Sequence, residues 1–473
     1  MSKVQKGMDI DLEVEKLAFG GKALCRHEGV VVFVEGAAPG QLVRARIIRK
    51  KKQYAEAHVT EVLRRSPAEC EPFCPHFGVC GGCQWQHIPY EEQLSWKRRH
   101  VLECLHHLAG SREAMVEPTV ASPRRQWYRN KMEYTFSERR WLSPDEVATG
   151  RSYDRSFALG LHARGRFDRI FDVEACFLES PESVSILGAV RRWCRASGLP
   201  PYTTRTHQGF WRFLVIREGK RTGDLLIHLI TAAHPRGEAV VDELALDLRD
   251  AFPSITTFVH SVSQKKAQVA VGDSSRNVFG PGFIEERLKD LRFRISAHSF
   301  FQTNPLAAEG LYEAVVASGG LSGREAVWDL YCGTGSISLF IAPHAREVLG
   351  FELVEDAIED AYVNCRLNGV DNCRFRSGDL KENILKASRD TGGFRRPDVV
   401  VTDPPRSGMH PAVVQALREL APRRIVAVSC NPATLARDLA MLSDVYHIGR
   451  VQPFDLFPHT PHIECVVRLD RTE

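Results

Sequence analysis

The sequence predicts an α/β fold in three parts: a small N-terminal β-barrel, a strand-rich middle domain and a C-terminal doubly wound sheet. Residues 8–64 alternate short strand-like runs with glycine turns, which is typical of a small barrel. From residue 297 onward β and α segments alternate, which indicates a doubly wound sheet. We therefore expect domains at residues 1–65, 66–296 and 297–473.

Composition narrows the class of protein. The 473 residues carry a net charge of +4, but residues 1–65 and 121–170 each hold more Lys and Arg than Asp and Glu, which suits a polyanion partner. The N-terminus has no apolar signal core, and no stretch of 18 apolar residues occurs. We expect a cytoplasmic protein whose 13 cysteines serve as thiols, metal ligands or catalytic groups rather than as disulfides.

In the predicted barrel, strand-like runs occupy residues 10–14, 29–34, 41–48 and 57–63. The basic run at residues 49–52 is predicted to lie on a loop between two of them, where it suits contact with a phosphate backbone. No constellation of catalytic groups occurs in this part of the chain. The barrel is therefore predicted to bind rather than to catalyse.

A turn-rich segment after the barrel holds four cysteines: Cys70, Cys74, Cys80 and Cys83. The last three are spaced C-x5-C-x2-C, and glycines beside them let the backbone aim three sulfurs at one centre. Cys70 is the near candidate for a fourth ligand and Cys176 the remote one. Zinc and iron–sulfur clusters both accept four thiolates, so the spacing leaves the metal open.

Residues 90–109 are predicted to form an amphipathic helix, and a strand-rich region follows from residue 128 to about 296. Near its start, basic residues alternate with Trp127, Tyr128, Tyr134 and Phe136. Such interleaving is a sequence-tolerant way to hold unstacked bases and phosphates. An ordinary half-buried strand is the alternative interpretation.

The C-terminal part begins with a nucleoside-binding pattern. The strand at residues 327–330 runs into a turn with Gly333 and Gly335 and then an apolar helix. A dinucleotide fingerprint requires a third glycine where this chain has Ser338, so the loop suits a nucleoside without a pyrophosphate. A second strand ends in Glu352, which can accept ribose hydroxyls, and a third ends at Asp379, near the expected adenine.

Cys430 follows the apolar run 424–428, which is typical of a buried parallel strand. A thiol at the carboxyl end of such a strand faces the ligand crevice. The preceding strand leads into Asp403-Pro-Pro-Arg406, where two prolines stiffen the loop.

The approach to the last strand carries further polar residues. Strand alternation predicts that Thr460, His462 and Glu464 share one face. A charged residue that begins an otherwise apolar strand is costly unless it has a partner or a function.

Together these residues resemble the RNA uracil-C5 methyltransferase family, in particular its iron–sulfur members that act on 23S ribosomal RNA. The segments 429–438 and 457–464 carry the resemblance most specifically. The barrel is similar to the family's OB-like TRAM domain, and residues 297–473 are similar to its Rossmann-like methyltransferase domain. The resemblance implies a cytoplasmic monomer that methylates C5 of a uridine in RNA, with neither DNA nor membrane as a partner.

The resemblance also implies roles for individual residues. Cys430 would be the nucleophile, Glu464 the base, and Phe300 a platform that stacks on a base. S-adenosylmethionine would be contacted by Gln302, Tyr331, Ser336, Glu352, Asp379 and Asp403. A 4Fe-4S cluster would be held by Cys74, Cys80, Cys83 and Cys176, which leaves Cys70 as an extra thiol.

The expected chemistry explains these residue types. C5 of uracil is a weak nucleophile, and addition of a thiolate to C6 places enolate character on C5. After methyl transfer a carboxylate must remove the C5 proton so that the thiol can leave. Asp403 and Arg406 are placed to polarise the pyrimidine edge.

Several alternatives stay open at this point. A transfer RNA is an alternative substrate, and an RNA-binding iron–sulfur protein with an inactive fold is the non-enzyme alternative. An amino-group methyltransferase carries an aromatic residue after the two prolines, where this chain has Arg406, and has no use for Cys430. A DNA cytosine-C5 methyltransferase places its cysteine in the fourth-strand loop, which here holds none.

Overall fold

The computed structural model describes residues 4–111, 114–166, 168–389, 393 and 395–472. These residues form a closed barrel, a mixed eight-stranded sheet, a two-stranded sheet and a mostly parallel seven-stranded sheet, which confirms the predicted α/β class. No helix among these residues is long and apolar enough to cross a membrane. The proposed division at residues 65 and 296 stays a prediction.

The N-terminal barrel has five strands: β1 (Asp9–Leu17), β2 (Ala23–His27), β3 (Val30–Glu35), β4 (Leu42–Lys50) and β5 (Tyr54–Arg64). They close in the order β1-β2-β3-β5-β4. The barrel prediction is confirmed, but β2 was missed because it is too short to show a clear alternation. The basic run begins inside β4, with Arg49, and continues into the turn before β5.

The predicted amphipathic helix is confirmed as α1 (Tyr90–Leu108). Pro89 precedes it, and Glu91 and Glu92 in the first turn complement the helix dipole. The helix contacts the barrel through an ion pair of 2.6 Å between Lys16 and Glu103. Its other side packs into the hydrophobic core of the C-terminal sheet.

The middle sheet has the order β13-β12-β11-β10-β6-β8-β9-β7. Its strands are β6 (Lys131–Ser137), β7 (Arg140–Trp141), β8 (Ala158–His162), β9 (Ile170–Asp172), β10 (Trp211–Glu218), β11 (Leu225–Thr231), β12 (Ile255–Val262) and β13 (Ser274–Phe279). Helices of this region are α2 (Pro144–Ala148), α3 (Pro181–Ala196) and α4 (Gly237–Ala251). The apolar faces of α3 and α4 pack with the sheet in one core.

A hairpin of β14 (Phe283–Leu288) and β15 (Leu291–Ser296) follows. Ile284, Leu288 and Phe293 on this hairpin belong to the same hydrophobic core as the C-terminal sheet. The hairpin thereby ties the middle region to the segment that begins at residue 297.

The C-terminal sheet has the order β18-β17-β16-β19-β20-β22-β21. Its strands are β16 (Ala326–Leu330), β17 (Glu347–Glu352), β18 (Cys373–Ser377), β19 (Val399–Thr402), β20 (Arg424–Ser429), β21 (Tyr446–Phe454) and β22 (Glu464–Arg471). Its helices are α5 (Pro305–Gly319), α6 (Ser336–Ile341), α7 (Glu355–Leu367), α8 (Leu380–Arg389), α9 (Pro411–Leu420) and α10 (Pro432–Leu442), with a 3-10 turn at Ala342–His344.

The first five strands of this sheet are parallel, and β22 runs antiparallel between β20 and β21. Hydrophobic cores cover both faces of the sheet, which confirms the doubly wound prediction. Strand order reverses between β16 and β19. Ligands of open α/β sheets bind at the carboxyl ends of the strands at such a point.

Candidate active site

A cavity of about 1040 Å³ opens where the strand order reverses. Phe300, which is 67 % exposed, lies at this cavity together with Arg129, Arg406 and His462. Ser336 is not among the residues that line it, and its hydroxyl lies 3.1 Å from that of Tyr312. The other predicted cofactor and catalytic residues line it together: Gln302, Tyr331, Glu352, Asp379, Asp403, Cys430 and Glu464.

One end of the cavity is shaped for a nucleoside. Gly333 adopts φ +54°, a left-handed conformation that suits glycine, and its N–H donates to Glu352 Oε2 at 3.1 Å. Glu352 Oε1 accepts from the backbone N–H groups of Leu353 and Val354 at 2.7 and 3.0 Å. The carboxylate is thus held in place, between apolar walls, with lone pairs left for hydroxyl groups. These residues fit S-adenosylmethionine.

At the other end, Cys430 and Glu464 lie at the same edge of the sheet. Strands β20 and β22 are antiparallel neighbours, and Ser429 pairs with Cys465. Cys430 is the next residue after Ser429, and Glu464 is the residue before Cys465. Facing positions on antiparallel strands bring their side chains together on one face, so the ladder juxtaposes the thiol and the carboxylate.

The Cys430 thiol is half-buried at the start of α10. Its loop is fixed by Asn431, whose Oδ1 accepts from the N–H of Ala433 at 3.1 Å and whose Nδ2 donates to the carbonyl of Arg406 at 3.0 Å. Burial raises the pKa of Cys430 to about 12, Glu464 and Asp403 add to the rise, and Arg406 opposes it. Without bound substrate, the thiol is therefore protonated at neutral pH.

Two carboxyl groups share this end of the cavity. Burial raises the pKa of Asp403 to about 7. Burial also raises the pKa of Glu464 well above its usual range, Asp403 adds to that rise, and Arg406 and Lys97 oppose it. Both groups are consequently stronger proton acceptors than exposed carboxylates.

Arg406 lies on the stiff Asp403-Pro-Pro loop, where its Nη2 donates to Nδ1 of His462 at 2.8 Å. Burial, followed by the charge of Arg406, lowers the pKa of His462 to about 4, so the ring is neutral and accepts this hydrogen bond. The prediction that Thr460 shares a face with His462 and Glu464 is wrong. Residues 460 and 462 precede β22, and the Thr460 hydroxyl instead donates to the carbonyl of Phe457 at 2.8 Å within the turn.

A buried ion pair beneath this turn was not predicted. Lys97 on α1 and Asp455 are both fully buried, with 2.5 Å between Nζ and Oδ1, and Lys97 Nζ also donates to the carbonyl of Phe457 at 3.2 Å. Gln93, one turn earlier, accepts from the N–H of His459 at 2.9 Å. Helix α1 therefore holds the turn that leads to Glu464. The sequence held one sign of this contact, because Gln93 and Lys97 are polar residues four positions apart on the apolar face of α1.

The cysteines of the middle region converge as the remote-ligand alternative requires. Cys74, Cys80, Cys83 and Cys176 line one small pocket, whereas Cys70 lies outside it and donates from Sγ to the carbonyl of Gln86 at 3.3 Å. Burial raises the pKa of Cys80 and of Cys83 to about 12. Within the described part of the chain, no three His, Cys, Asp or Glu side chains are placed to hold a single metal ion.

The aromatic residues that begin the middle domain are not the base-binding surface that their spacing suggested. Tyr128, Tyr134 and Phe136 are buried in the structure, and the latter two belong to the hydrophobic core of the middle sheet. The base-binding interpretation is wrong for these three. Tyr134 and Phe136 face the covered side of the sheet, as the alternative of an ordinary strand requires, and the Tyr128 hydroxyl donates to the carbonyl of Pro458. Trp127 alone is exposed.

Comparisons with known proteins match both the barrel and the C-terminal part of the chain. The tRNA (Uracil-5-)-methyltransferase family matches residues 263–472, and the TRAM domain matches residues 3–60. An uncharacterized RNA methyltransferase of Nitratidesulfovibrio vulgaris is 43 % identical over 100 % of this chain and 98 % of its own. One from Bacteroides thetaiotaomicron is 40 % identical over 96 % of this chain and 100 % of its own.

Among solved structures, the Pyrococcus abyssi tRNA (uracil-54, C5)-methyltransferase in complex with S-adenosyl-L-homocysteine is similar to this chain. The TM-score is 0.73 and the sequence identity 29 %, and the match covers 97 % of this chain and 100 % of that one.

Proposed function

Since this chain belongs to the S-adenosylmethionine-dependent RNA uracil-C5 methyltransferases, we propose that Cys430 and Glu464 carry the reaction and that the target uridine lies in 23S ribosomal RNA. The observation that supports the catalytic pair is the strand register. Pairing of Ser429 with Cys465 brings together a thiol and a carboxylate 34 positions apart, at the sheet edge where a substrate would lie.

In the first step Cys430 Sγ bonds to C6 of uracil. The thiol proton has two neighbouring acceptors, Asp403 and Glu464, and we assign it to Asp403, which leaves Glu464 free to accept the C5 proton in the later step. Arg406, held by His462, faces the same space and stabilises the negative charge that develops on the ring. When bound, S-adenosylmethionine supplies the methyl group.

In the second step Glu464 removes the proton from C5, the bond between Cys430 Sγ and C6 breaks, and the sulfur recovers its proton from Asp403. The buried carboxylate is a stronger base than an exposed one, and the cations Lys97 and Arg406 oppose the rise in its pKa that burial causes. Glu464 then releases its proton to solvent.

Two observations bear on which RNA is the substrate. The four-cysteine pocket supports 23S ribosomal RNA, because it matches the iron–sulfur members that the sequence resembles. Transfer RNA is the second candidate, because the similar Pyrococcus abyssi enzyme acts on uracil 54 of a tRNA. The test is to map 5-methyluridine in ribosomal and transfer RNA from cells with and without this gene. Loss confined to transfer RNA would contradict our assignment.

We further propose that Cys74, Cys80, Cys83 and Cys176 hold a 4Fe-4S cluster. The four cysteines line one small pocket, and this supports the proposal because 4Fe-4S clusters are held by four cysteine thiolates. Anaerobically purified protein should be brown and contain iron and sulfide. Cys176→Ser should lose the colour and Cys70→Ser should keep it; colourless protein with stoichiometric zinc, or the reverse result for the two variants, would contradict the assignment.

We assign RNA affinity to residues 1–65 and 66–296, and chemistry to residues 297–473. We propose a monomer that acts in the cytoplasm, as the family resemblance implies.

A further inference from the structure

Trp127 combines two features that are unusual for a tryptophan. It is 44 % exposed, and its backbone adopts φ +53°, a left-handed conformation that bulky residues rarely occupy. Tyr331 and His459, at the cavity and at the turn before Glu464, share this conformation, as do four residues elsewhere in the chain: Glu28, His207, Lys289 and Ala421. Backbone strain of this kind persists where the surroundings impose it, and it clusters at functional sites.

The strap, defined as residues 124–130, is held firmly on two sides. The N–H groups of Trp127 and Arg129 donate to the carbonyls of Phe177 and Leu178 at 2.7 and 2.8 Å. On the other side the N–H of Asn130 donates to the carbonyl of Thr303 at 2.8 Å. The exposed indole is therefore presented by a fixed backbone, and an ordered aromatic platform loses little entropy on binding.

The strap reaches the active-site cavity. Arg129 lines the cavity, and Trp127, which is not among the lining residues, lies two positions earlier in the chain, with its Cα at most about 7 Å from that of Arg129. The strap is hydrogen-bonded to the segment after Phe300, the other exposed aromatic residue of this region. Arg124 is exposed and has no ion-pair partner in the part of the chain that the structure describes. Aromatic faces and unpaired cations together suit single-stranded nucleic acid.

We propose that Trp127 stacks on an unpaired base of the RNA that flanks the target uridine, with Arg124 contacting the phosphate backbone beside it. The strap thereby holds the strand while the uridine enters the cavity. This inference rests on the proposed position of the target uridine beside Cys430. It adds a binding site for a second nucleotide on the middle domain.

The test is a double-mutant cycle between protein and RNA, with the full-length holoprotein, S-adenosylhomocysteine and an unmodified transcript that contains the methylated site. Trp127→Gly should raise the Kd for RNA about 5- to 100-fold, and Trp127→Phe should retain most of the affinity. An abasic residue at the stacked position should weaken binding to the wild type by a similar factor and leave Trp127→Gly unaffected. Glycine relieves the left-handed backbone, so weaker binding by that variant would not reflect strain.

The salt dependence of RNA binding distinguishes the contribution of Arg124 from that of Trp127. Arg124→Ala should reduce the slope of log Kd against log salt by the amount expected for loss of about one phosphate contact, whereas Trp127→Gly should leave the slope unchanged. Additive losses at every abasic position within two nucleotides of the uridine, or wild-type affinity of Trp127→Gly, would overturn the proposal. Methylation assays of Cys430→Ala test the proposed mechanism separately from the proposed role of Trp127. An active Cys430→Ala enzyme would contradict the mechanism, whereas failure of the double-mutant cycle alone would contradict only the stacking of Trp127 on RNA.

Discussion

Charged side chains occupy two contrasting settings in this protein. On the outside of the barrel, Arg46 pairs with Asp9 at 2.6 Å, with both side chains open to solvent. Beneath the turn that leads to Glu464, Lys97 pairs with Asp455 at 2.5 Å, with neither side chain exposed. The two ion pairs have nearly the same length, and their surroundings differ completely.

This difference in exposure determines how strongly each ion pair acts on its neighbours. Exposed pairs are screened by water and salt, so they contribute little to stability. Buried charges interact strongly with their neighbours, and Lys97 opposes the rise in the pKa of Glu464 that burial causes. We therefore assign RNA affinity to charge at the barrel surface, and adjustment of the pKa of Glu464 to the buried charge of Lys97.

The largest effect should follow from removing one buried partner. Lys97→Met leaves Asp455 ionised without a counter-charge, which should cost about 3–5 kcal/mol in the free energy of unfolding. Urea denaturation measures this loss. Arg46→Ala is the matched control from the barrel surface and should leave the midpoint unchanged. Equal urea midpoints for Lys97→Met and Arg46→Ala would contradict the claim that the buried ion pair matters more for stability than the exposed one.

A second effect concerns pH. The pKa of Asp403 is raised to about 7 in the folded protein, so the native state binds this proton more tightly than the unfolded state does. Stability contributed by the protonated group is present below the unfolded pKa and is lost as pH rises through about 7.

Asp403→Asn removes this dependence and should make the protein more stable than the wild type at pH 8, by about 1–4 kcal/mol. Thermal unfolding at pH 5 and pH 8 measures the difference. The variant should also lose methylation activity, since it lacks the acceptor for the thiol proton. A wild type and variant with parallel pH profiles would show that Asp403 titrates as an exposed carboxyl group.

The smallest effect belongs to the barrel surface. Lys50, Lys51 and Lys52 have no ion-pair partner among the described residues, and Arg49 lies 3.9 Å from Glu56. Replacing all four with alanine should weaken RNA binding and reduce the salt slope by up to about four phosphate contacts. Replacing Arg44 and Arg46, which are paired, should change the slope far less. An unchanged slope for the first variant would contradict a role for this run.

Much of the fold could be predicted because periodicity is a local property. The helix at residues 90–108 and the alternating β and α segments after residue 297 confirm the expectation. Alternation does not show which face of a strand will be covered, and for this reason the sequence left open whether Tyr134 and Phe136 bind bases or pack in the core, where the structure places them. β2 was missed because five residues carry too little pattern.

The cavity was predictable to the extent that its residues end strands, as Glu352 and Cys430 do. Residues that reach the cavity or its supporting turn from other elements could not be predicted. Lys97 and Asp455 are 358 positions apart, and no spacing rule joins a polar residue on a helix to a distant turn. Arg129 reaches the cavity for a similar reason, since hydrogen bonds to residues 178 and 303 determine the path of its backbone.

The division of labour between Cys430 and Glu464 is the central claim, and trapping of the covalent RNA complex tests it most directly. Glu464→Gln should slow turnover by ~10²–10⁴ and accumulate a denaturant-stable protein–RNA complex that carries one transferred methyl group. Cys430→Ala should form no such complex and transfer no methyl group. Near-normal turnover by Glu464→Gln, or methylation of uracil by Cys430→Ala, measured with tritiated methyl donor on a denaturing gel, would contradict the mechanism.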